Sequence, residues 1–595
     1  MSILDKLRGR NSANSDHDNS DVVTDTVVNT DKETSAGLPD QVDQGHESSA
    51  PSEDVQNGVQ EIQAITITWG KKSLAALLCL IWLLFFTSGM RLSIFTSTLP
   101  YLTSEWAAHS LLNTIYIVSG AMTSACYIPM AKALDVWGRA EGFLLMVAFA
   151  TLGMIMMAAA NSLATFCAAQ IFYSVGFNGL IYCVGVLAAD ATSLKNRGLA
   201  FAFTSSPYMI TAFAGSKAAE AFVVNVNNWR WGFGCFCIIL PCVSIPLYGI
   251  LKYHLHQAMK SGVIHRHKSE RTLAQKLKYF VVEFDLMGIF LFGAGLVIFL
   301  LPFNLAAMAP KQWKTDYIIA MLVVGFVLLV CFGLWEYFLS PRPFLRGKFL
   351  TDRTVVAACL IDMTYQASYA TWNHYFQSFL QVVCNLTVSE AGYVNSTFQV
   401  VSGVLLFIIG WGVRKTGYFK WQFYWAVPLY VFALGLMMHF RQPNQYIGYI
   451  VMCEIFISMG GSVFILIMQL AVLAAVEHQY VAAALATLYV SGGIGSSIGS
   501  AISGAIWTNT FLPELMRTLP ESELPNVALI YGDLVTQLSY PVGSETRIII
   551  QKAYGYGQIR MLGAGVGIAS LCFFWTAMMR NINVKKTKQT KGVVF

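Results

Sequence analysis

Long apolar runs constrain this chain of 595 residues more than any other feature. About fourteen segments are apolar over 18 or more residues, the length that a helix needs to cross a lipid bilayer. They lie near residues 73–99, 111–131, 142–160, 164–188, 198–222, 231–251, 285–305, 316–338, 355–380, 390–413, 422–439, 446–473, 480–508 and 559–579. Because a bilayer offers no hydrogen bonds to a bare backbone, runs of this length predict transmembrane helices. We therefore expect an all-α integral membrane protein with about 14 transmembrane helices.

The composition excludes several other classes of protein. The chain is 55% hydrophobic and only 12% charged, whereas soluble proteins carry about 25% charged residues. The net charge of +6 is small, so nucleic acid is not an expected partner. A phosphate-binding Walker loop, a nucleophile–base pair and a zinc-ligand spacing are not recognisable in the sequence. We expect no enzyme activity, no resident metal and no cofactor.

Lysine and arginine indicate the orientation. They concentrate in the loops at 132–139, 195–197, 252–278, 342–353 and 414–420 and at the last residues, and the other set of loops holds only Arg230, Lys311, Lys314, Arg441, Arg517, Arg547 and Lys552. This asymmetry predicts that both termini are cytosolic and that residues 509–558 face outside. Three segments are expected in the cytosol: a disordered acidic tail at 1–64, a basic loop at 252–284 and a basic tail at 580–595.

Two loops suggest an internal repeat. "AKALDVWGRAEG" follows the second span and "GWGVRKTGYFK" follows the tenth, and each sets a small residue seven positions before a glycine. The chain then divides into a six-helix bundle at 65–251, an inserted helix pair at 285–338 and a second six-helix bundle at 339–579, which includes the outside loop. Parallel halves with a substrate path between them are a transporter architecture.

"ALDVWGR" resembles the signature of the loop between spans 2 and 3 in the major facilitator superfamily, with Asp135, Gly138 and Arg139 at the matching positions. The resemblance implies the major facilitator fold, and it implies that these three residues form a gating latch. Ala131 stands where the pattern has its first glycine, and Arg414 replaces the aspartate in the second copy. A tight solvated turn is the alternative reading of the motif.

A narrower resemblance extends over residues 66–595. "CAAQIFYSVGFNGLIY", "LKNRGLAFAFTSSPYMITAFAG", "NNWRWGFGCFCIILP" and "IQKAYGYGQIRML" are similar to stretches of fungal siderophore–iron transporters of the Mir type, which are associated with triacetylfusarinine C. The resemblance implies fourteen spans and proton-driven uptake of a ferric hydroxamate siderophore, which carries its own iron ligands. It also implies a monomer in the plasma membrane, with cycling through endosomal vesicles left open.

The ninth predicted span, "DMTYQASYATWNHYFQSFLQ", holds too many polar atoms for a helix that faces lipid. Its Asp362, Gln366, Tyr369 and Asn373 share one stripe at spacings of four and three. With the aromatic rings on either side, they are expected to line a cavity for the chelate, and the candidate substrate-binding residues are Tyr365, Gln366, Tyr369, Trp372 and Asn373. A helix with purely internal hydrogen bonds is the alternative.

Ionisable residues inside a membrane are functional candidates, because their burial is costly. Asp362 is the first candidate for proton coupling and Glu454, in the twelfth span, is the second. Arg91, in the first span, is expected to contact substrate or to balance a carboxylate. A structural buried pair remains the alternative for each.

The outside loop at 509–558 is long for a connection between two helices. It follows the Gly- and Ser-rich span "YVSGGIGSSIGSAISGAIW", which suits close helix packing. We expect residues 545–558 to continue as helix into the last span, and the loop to fold as a lid. Its Tyr540, Tyr554 and Tyr556 are expected to contact the chelate. A loop that packs only for stability or trafficking is the alternative.

These observations favour a proton-coupled importer of ferric siderophore. Export of drugs or metabolites by proton antiport is the second transport hypothesis. A siderophore sensor that does not transport is the third hypothesis, from a different functional class.

Overall fold

The computed structural model describes residues 57–106, 109–262, 275, 281–340, 351–477 and 480–585. The predicted acidic tail up to residue 56, most of the basic loop from 263 to 280 and the basic tail from 586 onward lie outside the described residues. The first eight described residues belonged to the tail that we expected to be disordered. They are helical instead, as part of Asn57–Thr68.

The first bundle and the inserted pair form twelve labelled helices. They are α1 Asn57–Thr68, α2 Lys71–Glu105, α3 Leu112–Val136, α4 Arg139–Ala158, α5 Leu163–Asp190, α6 Leu194–Ser205, α7 Pro207–Glu220, α8 Trp231–Gly234, α9 Phe236–Lys260, α10 Leu286–Leu300, α11 Pro302–Leu305 and α12 Asp316–Leu334. A 3₁₀ turn at His109–Leu111 precedes α3.

The second bundle contributes eleven more helices. They are α13 Arg353–Asn373, α14 Phe376–Val382, α15 Val388–Asn395, α16 Thr397–Thr416, α17 Phe423–Phe440, α18 Ile447–Ala474, α19 Val481–Thr518, α20 Val527–Gly532, α21 Leu534–Ser539, α22 Glu545–Ser570 and α23 Cys572–Met578. The stretch 545–558 is helical within α22, so that prediction is confirmed.

In the described residues, twelve helical segments are long and apolar enough to cross a membrane. The count of fourteen is not confirmed, and the two missing spans are those near 198–222 and 355–380. The first is broken between α6 and α7 at Ser206, because Pro207 has no N–H to continue the helical ladder. The second is α13 and α14, which are separated at His374–Tyr375 and rich in polar residues.

Small residues let the two bundles meet closely. The helices α3 and α19 are antiparallel, and at their crossing a Cβ on Gly493 would lie 2.0 Å from Ser124 Oγ. At the crossing of α6 and α16, a Cβ on Gly410 would lie 3.0 Å from the carbonyl carbon of Gly198. The Gly- and Ser-rich sequence of α19 therefore serves close helix packing, as predicted. α3 and α19 run in opposite directions, so the end with Gly138 is opposite to the end with residues 519–544. We name these the inner and outer ends.

The inserted pair α10 and α12 packs against the first bundle through α3. Gly293 of α10 lies against Ala125 and Met122, and Gly325 of α12 faces the backbone of Phe299. At the inner end, the Asp285 carboxylate accepts hydrogen bonds from Trp335 Nε1 at 2.8 Å and Ser340 Oγ at 3.1 Å. The carboxylate thus joins the start of α10 to the end of α12.

The loop predicted at 509–558 is shorter than expected. α19 continues to Thr518 and α22 begins at Glu545. Only residues 519–544 lie between the two long helices, and this segment contains α20 and α21. The fifty residues are therefore mostly helix.

Candidate functional site

The motif between α3 and α4 forms a buried charge network. Arg139 donates from Nη1 to Asp135 Oδ1 at 2.7 Å and from Nε to Asp190 Oδ2 at 3.2 Å, and all three side chains are buried. Asp190 is the last residue of α5, so Arg139 connects the inner ends of three helices. The sequence indicated Asp135 and Arg139, but Asp190 was not among the candidates because it lies in no recognised motif.

Gly138 is required by the backbone at this turn. Its φ of +109° and ψ of 157° belong to a region that only glycine adopts readily. A Cβ there would also lie 2.4 Å from Glu61 Oε2 of α1. The helix α1, which the sequence did not predict, therefore packs directly over the motif.

Three of the four residues in the predicted stripe on α13 are partly accessible. Gln366, Tyr369 and Asn373 are half-buried, whereas Asp362 is buried. Asn373 Nδ2 donates to Tyr369 Oη at 2.8 Å, which orients the phenol. The stripe thus presents polar and aromatic atoms along one face, as a cavity wall requires.

The aromatic residues beside the stripe belong to its support. Tyr365 is buried and its ring centroid lies 5.0 Å from that of Phe464 and 5.5 Å from that of Tyr430. Trp372 is also buried, edge-on to Tyr369 at 5.5 Å. Both therefore brace the stripe, and in this conformation they are covered.

The two carboxylates proposed for proton coupling lie on different helices and take part in no ion pair within the described part of the chain. Asp362 lies against α19, where a Cβ on Gly492 would be 2.4 Å from Asp362 Oδ2. Glu454 of α18 is buried, and its Oε1 has no hydrogen-bond partner among the described residues. Asp362 therefore has no cationic partner among the described residues, whereas the buried guanidinium of Arg441 interacts electrostatically with Glu454 without forming an ion pair.

Arg91 is buried in the first bundle without a carboxylate partner among the described residues. It donates to Tyr173 Oη, and its guanidinium lies 4.8 Å from the Tyr173 ring centroid and 3.7 Å from that of Phe177. Cation–π contacts of this kind offset part of the cost of burying a charge. The expectation that Arg91 balances a carboxylate is not met in this conformation.

Arg441 and Arg547, both expected in outside loops, have buried side chains. Arg441 is 0% exposed, and its guanidinium lies over the rings of Trp372, Phe376 and Phe379 at 5.6, 4.1 and 5.3 Å. Hydropathy alone could not reveal the burial of Arg441, because this residue follows the last apolar residues of α17. Its aromatic neighbours come from α13 and α14.

His374 connects the two bundles. Its ring stacks on Tyr116 of α3 with centroids 4.0 Å apart, and its Nδ1 lies 2.6 Å from Asn113 Oδ1. Asn113 and Tyr116 are three residues apart in an apolar span. That spacing is the signal that would have identified an inward-facing polar stripe on α3.

More hydrogen bonds join the bundles at the outer end. Tyr375 Oη donates to the Ser110 carbonyl at 2.9 Å, and Tyr101 Oη donates to Gln381 Oε1. The backbone N–H of Leu534, at the start of α21, donates to Ser104 Oγ at 2.8 Å. The segment 519–544 thus reaches from the second bundle to the first.

The three tyrosines predicted to contact the chelate do not face one surface. Tyr554 is fully buried between Trp507 and Phe511 and donates to Gln537 Oε1 at 2.7 Å. Tyr540 is half-buried and donates to Glu523 Oε2 at 2.8 Å. Tyr556 is 40% exposed, with the Arg560 guanidinium 3.4 Å from its ring centroid. Tyr554 is therefore covered by protein in this conformation, and its assignment to substrate contact stays a prediction.

Arg547 anchors the outer segment. Its side chain is buried and donates to the Gln537 carbonyl and to Asn385 Oδ1, the latter at 3.3 Å. Gln551, one turn later on α22, donates to the Val382 carbonyl at 3.1 Å. These bonds hold α21, α22 and the end of α14 together.

His109, in the 3₁₀ turn before α3, is another buried ionisable residue. The ring is buried beside Tyr375, with centroids 6.0 Å apart, and its Nε2 has no partner among the described residues. Burial lowers the pKa of His109 to about 4, and the nearby Asp533 carboxylate opposes this shift. The imidazole is therefore neutral at ordinary pH.

Comparison with known proteins identifies the family of this chain. Residues 81–500 match the family model described as Major Facilitator Superfamily. The chain is 67% identical over 578 residues to "MFS siderochrome iron transporter 1" of Gibberella zeae, which covers 97% of this chain and 95% of the relative. The chain belongs to the Major Facilitator Superfamily, among the fungal siderochrome iron transporters. Membership in a transporter family agrees with the expectation that the chain is not an enzyme.

A second relative and a solved structure agree. "Siderophore iron transporter mirB" of Emericella nidulans is 63% identical over 554 residues, 93% of this chain and 92% of the relative. The crystal structure of the human organic anion transporter MFSD10 aligns with a TM-score of 0.51 at 11% identity, over 84% of this chain and 99% of that one. The last comparison supports the all-helical major facilitator fold alone.

Proposed function

We propose that this chain imports a ferric hydroxamate siderophore together with protons across the plasma membrane by alternating access. Triacetylfusarinine C is the first candidate substrate. The observation that carries the proposal is the near-full-length identity of 67% and 63% with two relatives named as siderochrome and siderophore iron transporters. In this proposal the chain crosses the membrane fourteen times, with α6–α7 and α13–α14 as the two broken spans and both termini in the cytosol.

The binding surface in this proposal lies between the bundles. The stripe Gln366, Tyr369 and Asn373 supplies hydrogen-bonding and aromatic atoms from the second bundle, and Arg91 supplies a cation–aromatic surface from the first. A bulky chelate whose iron is fully coordinated needs this kind of contact rather than metal ligands. The half-buried state of the stripe supports its access to substrate.

Protons are coupled through Asp362 in this proposal, with Glu454 as the second candidate. A buried carboxylate without a cationic partner is costly unless it can take up a proton. Asp362 also lies at the contact between α13 and α19, where relative motion of helices would change its surroundings. The Asp135–Arg139–Asp190 network acts as the gating latch at the inner end.

The first experiment is uptake of iron-55 triacetylfusarinine C into yeast that lacks its own siderophore carriers, with and without a protonophore. We expect uptake that the protonophore abolishes. Ferrichrome-type and coprogen-type chelates are run alongside to define the substrate. If protein detected at the cell surface takes up none of these chelates, the importer hypothesis is wrong and export or sensing must be tested.

Two variants separate binding from coupling. Gln366→Ala should raise the apparent KM for the chelate several-fold, since it removes one hydrogen bond to substrate worth about 1 kcal/mol. Asp362→Asn should abolish protonophore-sensitive accumulation but leave binding of the chelate to purified protein. Gln442→Ala, on the connection after α17, is the control and should leave both unchanged.

The outer segment 519–544 is the lid in this proposal, and acid weakens its closure. The folded pKa of His109 lies below the ordinary value of 6.5, so the closed state loses stability as pH falls from 6.5 toward 4. By pH 4 the loss approaches about 3 kcal/mol. Hydrogen exchange of residues 530–540, corrected for intrinsic rates, should accelerate over this range in wild type but not in His109→Gln. Equal pH dependence in both proteins would exclude His109.

A further inference from the structure

A groove on the side of the first bundle is lined only by apolar side chains and by one thiol. It runs between α3, α4 and α5 and is bounded at the inner end by Trp137, Phe284 and Leu286. The groove encloses about 360 Å³. Its floor includes Met130, Met146 and Val175, and its sides include Leu145, Phe149 and Ile171.

The contents of the groove follow from its chemistry. An apolar cavity holds no ordered water, since water needs two or more polar partners. An empty groove would forfeit the dispersion contacts of its lining atoms. The helices that form the groove are spans of a membrane transporter, so the medium available to fill it is lipid hydrocarbon.

The depth of the groove matches one lipid leaflet. The lining extends from Cys126 on α3 to Trp137, just past the inner end of the helix, roughly 16 Å at 1.5 Å per residue. Half of a bilayer hydrocarbon core is about 15 Å. The mean cross-section is then roughly 22 Å², which suits one extended hydrocarbon chain.

The groove also continues an interface already described. The α10 helix packs on α3 through Gly293, and the groove opens beside the same joint, where Trp137 meets Phe284 with ring centroids 5.2 Å apart. Trp137 is 37% exposed at the rim, as expected of tryptophan at the boundary between hydrocarbon and headgroups. Lys132 Nζ donates to the Glu283 carbonyl at 2.9 Å at the same place.

We propose that this groove is a specific binding site for one acyl chain of a phospholipid in the inner-end leaflet. The chain fills the joint between the first bundle and the inserted pair. Met130 and Ala133, which line it, are within five residues of Asp135, so the bound chain also braces the helix that carries the latch. This site does not depend on which substrate the protein transports.

The test uses phosphatidylcholine with a photoactivatable diazirine in one acyl chain, incorporated with the full-length protein in nanodiscs. After irradiation, cross-links are mapped by peptide mass spectrometry. A specific site predicts labelling of Met130, Met146 and Phe149 that exceeds labelling of Ile238 on α9, which is 70% exposed. Ordinary contact with surrounding lipid predicts the opposite order, because Ile238 is the more exposed.

Two groove-filling variants and one matched control decide the result. Ile171→Trp fills the groove and should lower its labelling at least fivefold, whereas Ile238→Trp, the matched control, should not change it. Leu145→Trp fills the groove from α4 and guards against a folding defect in the first variant. Labelling that follows exposure alone, survives both groove-filling variants, or is displaced by excess sterol would overturn the proposal.

Discussion

The loops at Gly138 and Gly417 carry the two copies of the predicted repeat, yet different interactions stabilise them. At Gly138, Arg139 binds the carboxylates of Asp135 and Asp190 in a buried network. At Gly417, the carbonyl accepts a hydrogen bond from the backbone N–H of Val584 at 2.9 Å, and Arg414 is exposed. One loop depends on side-chain charges and the other on pairing with the end of the chain.

The difference shows that two copies of a sequence pattern can be stabilised by different interactions. The small residue at the start of each copy is used differently: Ala131 is buried within the first bundle, whereas Gly410 meets Gly198 across the two bundles. Buried charges destabilise a fold when one partner is lost. Backbone pairing at a surface is lost gradually, so the two loops should respond very differently to substitution.

The largest effect is expected for Arg139→Leu, which removes the guanidinium that contacts both Asp135 and Asp190 in the buried network. Removing one partner from a buried network costs about 3–5 kcal/mol. Thermal unfolding of the purified protein should therefore begin well below that of wild type. Arg414→Leu, at the exposed position in the other loop, is the control and should melt with wild type. If both variants melt with wild type, the network does not stabilise the loop.

A smaller difference is expected between the two glycines. Gly138→Ala should cost about 1–3 kcal/mol, because its backbone lies in a region open only to glycine. Gly417 has φ +79° and ψ −4°, a left-handed conformation that asparagine tolerates. A Cβ on Gly417 would lie 2.8 Å from Asn583 Oδ1, the end of a side chain that can move, so Gly417→Asn should lose less thermal stability than Gly138→Asn. Equal losses from both asparagine variants would contradict the assignment.

Deleting the tail tests the second loop directly. Truncation after Ile582 removes the Val584 hydrogen bond to Gly417 and its buried side chain, a loss of about 1–2 kcal/mol. Hydrogen exchange at residues 415–420 should accelerate, while exchange at 135–140 stays unchanged. Truncation after Lys585 keeps these contacts and serves as the matched control. Unchanged exchange after the shorter truncation would show that the tail does not hold the loop.

The smallest effect is expected for Arg414→Asp, which restores to the second loop the aspartate of the superfamily pattern. The side chain is exposed, and exposed substitutions away from special features change stability by less than about 0.5 kcal/mol. Melting temperature and uptake should match wild type. A clear rise in stability would indicate that a second latch can form. Both loops could then be stabilised by side-chain charges.

The fold was largely predictable because the bilayer imposes a strong local rule. Apolar runs of span length became helices in both bundles and in the inserted pair, at 285–305 and 316–338 among others. The rule failed where polarity or proline interrupted a run, at Pro207 and at the end of α13, since length and hydropathy cannot distinguish a broken span from a connection.

The candidate site was less predictable. A stripe such as Gln366, Tyr369 and Asn373 follows from helical periodicity and needs no knowledge of other helices. Helical periodicity does not predict the partners of buried charged and polar side chains. Asp190, His374 and Arg441 acquire their roles only from residues on distant segments. Tyr554 shows the same limit, since its burial depends on Trp507 and Gln537.

The sequence by itself determined the helical class, the polar stripe on α13 and the positions of Asp135, Gly138 and Arg139, and it predicted two repeats with an inserted pair. These follow from local periodicity and from short motifs, which act over a few residues. Tertiary structure alone decided which buried charges are paired, which tyrosines are covered, and that Val584 pairs with Gly417. Pairing and burial depend on distances between segments that lie far apart in the chain, and periodicity carries no information about those distances.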